Sequence, residues 1–304
     1  MQLRTRFAPS PTGLLHIGNA YSVLVCQQWA KTHAADLLLR IEDIDYTRCR
    51  PEYAEAILSD LDWLGLKWDT PVHYQSQGLA RYREAIDVLR RLGVIYPCFC
   101  TRRHIQEEIK RMGAAPHAED ETLHYPGICR VLPVSEREQR MRHELFAWRL
   151  DAARALEAIG KPLSWRDEHG KRHPVHLHGD LVIGRKDIQF SYHLAVVVDD
   201  AKQGITHVIR GRDLQASTAI HRILQHLLGL PEPVYIHHAL LQDTHGQRLA
   251  KRNQATTLQS LRTMGICPDK LKDFLLHTDA HTWPFPEHDM ETIKNQLGTT
   301  QNTR

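Results

Sequence analysis

Two prolines, two glycines and one histidine crowd the opening of the stretch "RFAPSPTGLLHIGNAYSVLVCQQW", which begins at Arg6. A loop of this kind, delivered into a helix, could hold an anion such as phosphate, because the unpaired N–H groups and the dipole of a helix N-terminus favour negative charge. Gly13 and Gly18 would let backbone approach the ligand, Pro9 and Pro11 would stiffen the loop, and His16 would point at the phosphate. Taken alone, the stretch reads more readily as a Pro/Gly turn with a structural histidine, since short motif matches arise by chance. Far along the chain, "RLAKR" from Arg248 to Arg252 gathers cations that could meet a polyphosphate, although such runs are usually solvated.

Of six cysteines, Cys26, Cys49, Cys98, Cys100, Cys129 and Cys267, three fall in one local segment. Cys98 and Cys100 in "CFC" with Cys129 in "YPGIC" offer three thiolates and leave one tetrahedral position to fill, a pattern for structural metal rather than disulfide. His104, His117, His124 and Tyr125 are the nearby candidates for the fourth ligand, and coordination chemistry alone favours a histidine.

The elements that must position these groups follow from hydrophobic periodicity. The runs "ADLLLRIED", "YHLAVVVDD", "GITHVIRG" and "PVYIHHALL" read as buried strands. Between them, Ile57, Leu58, Leu61 and Leu64 keep helical spacing from Pro51 to Gly65, and Tyr82, Ile86 and Leu89 do so from Leu79 to Gly93. A third stripe, Ile220, Ile223, Leu224, Leu227 and Leu228, runs to Gly229, with Asp213 as the expected N-cap. Strands alternating with helices predict an α/β fold with a doubly wound parallel sheet. The alternation breaks between Tyr96 and His176, so the expected organisation is a first half over residues 1–95, a metal-bearing insertion over 96–176, a second half over 177–280 and a polar, disordered tail over 281–304.

Composition bounds the rest. With 42% hydrophobic and 25% charged residues the 304-residue chain is an ordinary globular protein, and no apolar run is long enough to span a membrane. The cytoplasm is therefore the expected location, with no membrane partner. A net charge of +3 is too small for a general nucleic-acid binder, and the arginines at 130, 137, 140, 142, 149 and 154 read as a solvated helix face.

"RFAPSPTGLLHIGN" resembles the first signature of class I aminoacyl-tRNA synthetases in its glutamyl form, and "LLLRIEDIDYTR", "FSYHLAVVVDD", "ITHVIRGRDL" and "HGQRLAKRN" follow in that family's order. The resemblance covers Arg6 to Lys251 and implies a Rossmann-type catalytic domain of the class I synthetase superfamily. The chain length leaves no room for the helical anticodon-binding domain of a complete glutamyl-tRNA synthetase, and with the cysteine-bearing insertion it is similar to the glutamyl-Q tRNA(Asp) synthetase family.

That resemblance implies a ligase-type enzyme that activates L-glutamate with ATP, accompanied by Mg2+, without needing tRNA for this step. It then transfers the glutamate to the queuosine base in the anticodon of tRNA(Asp). A truncated glutamyl-tRNA synthetase acting on the 3′ end of tRNA(Glu), or a non-catalytic binder of tRNA or nucleotide, are the alternatives. The resemblance further implies a monomer in which His16 and Lys251 are catalytic, and His16, Gly18, Asn19, Arg248 and Lys251 hold ATP. Arg6, Ser10, Glu42, Tyr192 and Arg210 would hold glutamate, the two arginines on its side-chain carboxylate and Glu42 on its ammonium group. Asn19, Arg248 and Ala250 depart from the family's usual residues. One structural Zn2+ would be bound by Cys98, Cys100, Tyr125 and Cys129, the family spacing selecting Tyr125 with His124 in reserve.

Overall fold

A computed structural model describes residues 2–101, 103–105, 107, 125–177, 179–243, 256–277, 283–285 and 290–298. The chain divides into two units, one formed by residues 1–77, 204–215 and 233–304, the other by 78–203 and 216–232.

The first unit is built on parallel pairing. Strand β1 (Arg4–Phe7) leads through the Pro/Gly loop into helix α1 (Ile17–Thr32) and back to β2 (Asp36–Ile41), which lies parallel to β1 with Arg6 opposite Leu38. Both strands are almost wholly buried, which is why "DLLLRI" carries no polar alternation. Helix α2 (Pro51–Trp63) starts on Pro51, and the chain leaves it through Gly65 at φ 67, a conformation that favours glycine. A short β3 (His73–Tyr74) extends the pairing beyond β2.

Helix α3 (Leu79–Arg91) opens the second unit. There, four-residue strands β4 (Ile95–Cys98), β5 (Ala147–Leu150) and β8 (Leu181–Gly184) pair antiparallel, and β6 (Ser164–Asp167) forms a hairpin with β7 (Arg172–Pro174). Helix α4 (Val134–Met141) precedes β5, and helix α5 (Ala152–Ile159) follows it, capped by Asp151, whose carboxylate accepts from the Arg154 N–H at 3.1 Å. Buried Asp180 ties these pieces together by accepting from the Tyr96 hydroxyl, Arg130 and the Ala152 N–H. The strands here are too short for periodicity to reveal them.

One sequence expectation fails in this unit. "YHLAVVVDD" is not a strand but most of helix α6 (Tyr192–Lys202), whose N-cap Ser191 accepts from the Leu194 N–H. Residues 194–200 are all buried, so no polar face marks the helical period, and a buried helix then looks like a strand. Asp199 within it is wholly buried, with Tyr82 donating at 2.6 Å and Arg81 at 3.2 Å.

The chain returns to the first unit with β9 (His207–Gly211). It then forms α7 (Ser217–Leu227) in the second unit and β10 (Val234–His238) in the first, parallel to β9. Asp213 does not cap α7; it lies in a 3-10 turn over Arg212–Leu214, and α7 begins after Ala216 without a side-chain cap. The face of α7 that is most buried includes His221 and Gln225 with Ile223 and Leu224. Near β1, the Thr206 N–H donates to the Arg4 carbonyl at 3.0 Å, which sets β9 beside β1.

Helices α8 (Leu258–Thr263), α9 (Pro268–His277) and α10 (Met290–Leu297) complete the first unit. Contrary to the expectation of a disordered tail, Trp283, Phe285, Ile293 and Leu297 join Ile17, Leu24, Ile57 and Leu61 in one buried cluster. Their wide spacing among polar residues hides them from a composition reading. Among the described residues no helix is long and apolar enough to cross a membrane.

Candidate active site and metal centre

In a parallel sheet the loops after the carboxyl ends of the strands are where ligands gather. Arg6 lies near that end of β1, Glu42 directly after β2, and Arg210 near that end of β9. All three are buried, with exposures of 4%, 7% and 5%, far below what charged side chains normally show. The Arg6 guanidinium donates to the Ile209 carbonyl at 3.4 Å, next to Arg210 in sequence. Glu42 takes a 3.3 Å ion pair from fully buried Arg40, and its N–H donates to the Pro9 carbonyl at 3.0 Å. That bond brings the end of β2 against the loop carrying Ser10, which is exposed. Arg210 contacts His237 on β10 at 3.4 Å, and its guanidinium lies 5.3 Å from the centre of the Tyr235 ring.

The loop ends on His16, the N-cap of α1. His16 Nδ1 accepts from the Gly18 N–H at 3.0 Å, while Asn19 Oδ1 accepts from the His16 N–H at 3.1 Å, closing a reciprocal capping box. With Nδ1 accepting, a neutral ring carries its proton on Nε2, so that nitrogen is a donor. Gly18 is required by close approach: a Cβ there would stand 2.8 Å from His16 Cε1 and 3.0 Å from Nδ1. Asn19, a departure from the family's residue, therefore has a local task in orienting the loop, one for which its amide oxygen suffices.

Arg248 and Lys251 lie outside the described residues, as do Ala250 and His124. Thr256, five positions after Lys251, accepts from the Ile17 N–H at 3.2 Å, and Thr257 bridges to His16. Tyr192 belongs to the second unit, at the first turn of α6, with its ring 5.5 Å from that of His193 and 5.6 Å from that of His221. His193 and His221 approach to 3.1 Å. From composition alone Glu42 reads as a strand-end carboxylate paired to Arg40, and that pair is present; sequence reasoning missed His237, the neighbour of Arg210. The signal for His237 was a titratable residue inside an otherwise apolar strand.

Cys98, Cys100 and Cys129 are gathered in the second unit with their sulfurs within 4.8 Å of one another. Tyr125 Oη lies 3.4 Å from Cys98 Sγ and 3.7 Å from Cys100 Sγ, and Cys100 and Cys129 are 3.5 Å apart. A tetrahedral zinc with bonds of about 2.3 Å to sulfur and about 2.0 Å to oxygen would separate sulfurs by about 3.8 Å and sulfur from oxygen by about 3.5 Å. The four groups thus fit a zinc ion. The Cys129 N–H donates to Tyr125 Oη at 3.0 Å and the Phe99 N–H points at Cys129 Sγ at 3.3 Å, contacts that favour the anionic forms a metal needs. Hydrogen bonding from Cys100 and Cys129 drives the Cys98 thiol far below its usual range, while the same shared bonds push Cys100 up and burial pushes the Tyr125 hydroxyl up, so without a metal the negative charge rests on Cys98.

The arginines of this segment are not simply solvated. Arg149 is buried with its guanidinium 3.8 Å from the centre of the Tyr125 ring, and Arg140 stands 4.2 Å from that of Phe99. They stack on the aromatic shell of the cysteine cluster.

The sequence matches, over residues 2–300, the family described as tRNA synthetases class I (E and Q), catalytic domain. It is 41% identical over 271 residues to a glutamyl-Q tRNA(Asp) synthetase of Rhodobacter capsulatus, covering 88% of this chain and 98% of that protein. A second protein of that name, from Nitratidesulfovibrio vulgaris, is 39% identical over 90% of this chain and 85% of its own length. Among solved structures, a glutamate tRNA ligase from Elizabethkingia meningosepticum in complex with its amino acid superposes with a TM-score of 0.76 at 24% identity, over 91% of this chain. This chain spans 61% of that ligase's length, and the likeness concerns the fold alone. With the family match running almost end to end, the chain belongs to the class I tRNA synthetase (E and Q) catalytic-domain family, in its glutamyl-Q tRNA(Asp) synthetase branch.

Proposed function

We propose that this chain activates L-glutamate with ATP and transfers the glutamyl group to the queuosine base in the anticodon of tRNA(Asp). The observation that carries the reading is the 41% identity over nearly the whole of a relative bearing that name. The burial of Arg6, Glu42 and Arg210 at strand carboxyl ends beside the His16-capped helix supports it.

In the first step the α-carboxylate of glutamate attacks the α-phosphorus of ATP, and pyrophosphate leaves with the electron pair of the broken P–O bond. The protein's contribution is positioning and charge stabilisation. Arg6 and Arg210 hold the side-chain carboxylate, a planar anion suited to guanidinium donors, while Glu42 receives the ammonium group. Ser10 and Tyr192 offer hydroxyls to the same substrate. His16 donates from Nε2 to a phosphate oxygen, with Gly18 and Asn19 lining that end of the helix. Arg248 and Lys251 neutralise the departing pyrophosphate together with Mg2+. In the second step the queuosine attacks the carbonyl of glutamyl-adenylate and AMP leaves. Cys98, Cys100, Tyr125 and Cys129 would hold one zinc ion, which would cross-link the end of β4 to the 125–129 turn and take no part in the reaction.

The test is transfer of labelled glutamate to tRNA from cells that make queuosine and from cells that do not. Label on the first alone is expected. Equal labelling of both would overturn the reading in favour of 3′-end charging, and no glutamate-dependent pyrophosphate exchange would favour a non-catalytic binder.

A further inference from the structure

The second unit carries a cleft of about 660 Å³ that none of these roles uses. It is lined by Arg83 and Arg90 of α3, Arg142 after α4, Trp148 of β5, and Arg185 and Lys186 after β8. Its acidic lining residues are Asp87 and Glu144, so five cations face two carboxylates.

Those charges are not mutually cancelled. Asp87 engages Arg90 at 3.2 Å, Asp187 engages Arg185 through both carboxylate oxygens, Glu144 engages Arg140 at 2.7 Å, and Lys186 donates to the Phe99 carbonyl at 2.7 Å, which leaves Arg83 and Arg142. Arg83 and Arg142 are exposed and, among the described residues, bonded to no carboxylate. Between the cations sits a fixed aromatic surface. Gly184 packs so closely that a Cβ there would lie 3.0 Å from Trp148 Cδ1, Phe146 meets the indole edge-on at 5.1 Å, and Arg90 stands 5.3 Å from its centre. Two guanidinium groups without a carboxylate, Arg83 and Arg142, in one cleft with a rigid, half-buried indole suit a strand whose charge repeats and whose bases are splayed.

We propose that this cleft binds a single-stranded segment of the tRNA, phosphates on Arg83 and Arg142 and one unstacked base on Trp148. The proposal rests on the reading that tRNA is the substrate and names a surface that holds it.

The test uses the full chain and tRNA titrated at several salt concentrations, with pyrophosphate exchange measured alongside. Arg83→Glu with Arg142→Glu is expected to weaken binding at least tenfold and to flatten the salt dependence by about 1.4 in slope, as loss of two single-strand phosphate contacts requires. Trp148→Leu is expected to weaken binding by about 5- to 150-fold, and Trp148→Phe, which keeps a stacking face, far less. Exchange should stay at the wild-type rate in all of them, which also verifies folding. Wild-type affinity and slope in both the charge-reversed and the leucine variants would overturn the proposal. So would an equal loss on reversing Arg166 and Lys171 on the β6–β7 hairpin, or competition by polyglutamate matching that by RNA of equal charge. Failure of exchange in the wild-type protein would instead sink the glutamate-activation reading, a separate result.

Discussion

Replacing Gly18 by alanine separates the chemistry of the loop from its contribution to stability. The new Cβ would stand 2.8 Å from His16 Cε1, whereas ordinary contact begins near 3.4 Å, so the imidazole must move outward by about 0.6 Å and give up its 3.0 Å bond from the Gly18 N–H. Loss of such a cap costs about 1 kcal/mol. Alanine in place of glycine returns about 0.5–1 kcal/mol, because it narrows the unfolded ensemble and favours helix. The two nearly cancel, and the melting temperature should stay within a few degrees of wild type. Catalysis has no such compensation. A donor displaced by this amount from a developing phosphate charge should cost about 10²-fold in kcat. The assay is glutamate-dependent ATP–pyrophosphate exchange beside thermal unfolding. Exchange within about threefold of wild type, at unchanged stability, would refute the role given to His16.

Further predictions rest on other parts of the molecule. Arg210→Ala should lower kcat/KM for glutamate in the exchange assay by about 30- to 5000-fold, the range for truncating one partner of a buried charge pair, and retained exchange would remove Arg210 from the pocket. Freshly purified protein should contain about one equivalent of zinc by elemental analysis, and Cys100→Ser should lose it; less than about half an equivalent in the wild type counts against the centre. Asp60 is wholly buried beside Arg262 at 3.4 Å, and burial pushes its carboxyl up to about 6. The folded protein therefore holds that proton more tightly than the unfolded chain, so stability falls as the pH rises from about 4 to about 6. Asp60→Asn should remove this fall and gain up to about 3 kcal/mol over wild type at neutral pH, read from urea unfolding at pH 4.5 and 7.5; parallel behaviour of the two proteins would contradict it. Burial also pushes the Cys26 thiol up to about 12, so iodoacetamide at pH 8 should leave Cys26 unlabelled in the native protein, and peptide mapping checks this.

What the sequence revealed and what it hid follow from how each element meets solvent. Strand β2 and helix α2 were legible because one is a short, mostly apolar run without alternation and the other has a single apolar stripe between Pro51 and Gly65. Helix α6 was misread because burial on all sides erased its period, and even its polar residue Asp199 is inside, held by Tyr82 and Arg81. The start of α7 was misjudged because Asp213 belongs to a separate turn. The tail core of Trp283, Phe285 and Ile293 depends on tertiary contacts with α1 and α2, which no local window contains. For the site, the resemblance to the synthetase family named Arg6, Glu42 and Arg210, but only the parallel register explains why residues far apart in sequence stand at neighbouring strand ends. The reciprocal cap between His16 and Asn19 gives a local structural reason for an asparagine that departs from the family's usual residue.

The most direct measurement is a crystal structure with a non-hydrolysable glutamyl-adenylate analogue. The account predicts the side-chain carboxylate on Arg6 and Arg210, the ammonium group against Glu42, and the phosphate-mimicking group within hydrogen-bond distance of His16 Nε2. An analogue bound with its amino-acid moiety away from both arginines, or with His16 turned from the phosphate position, would contradict it.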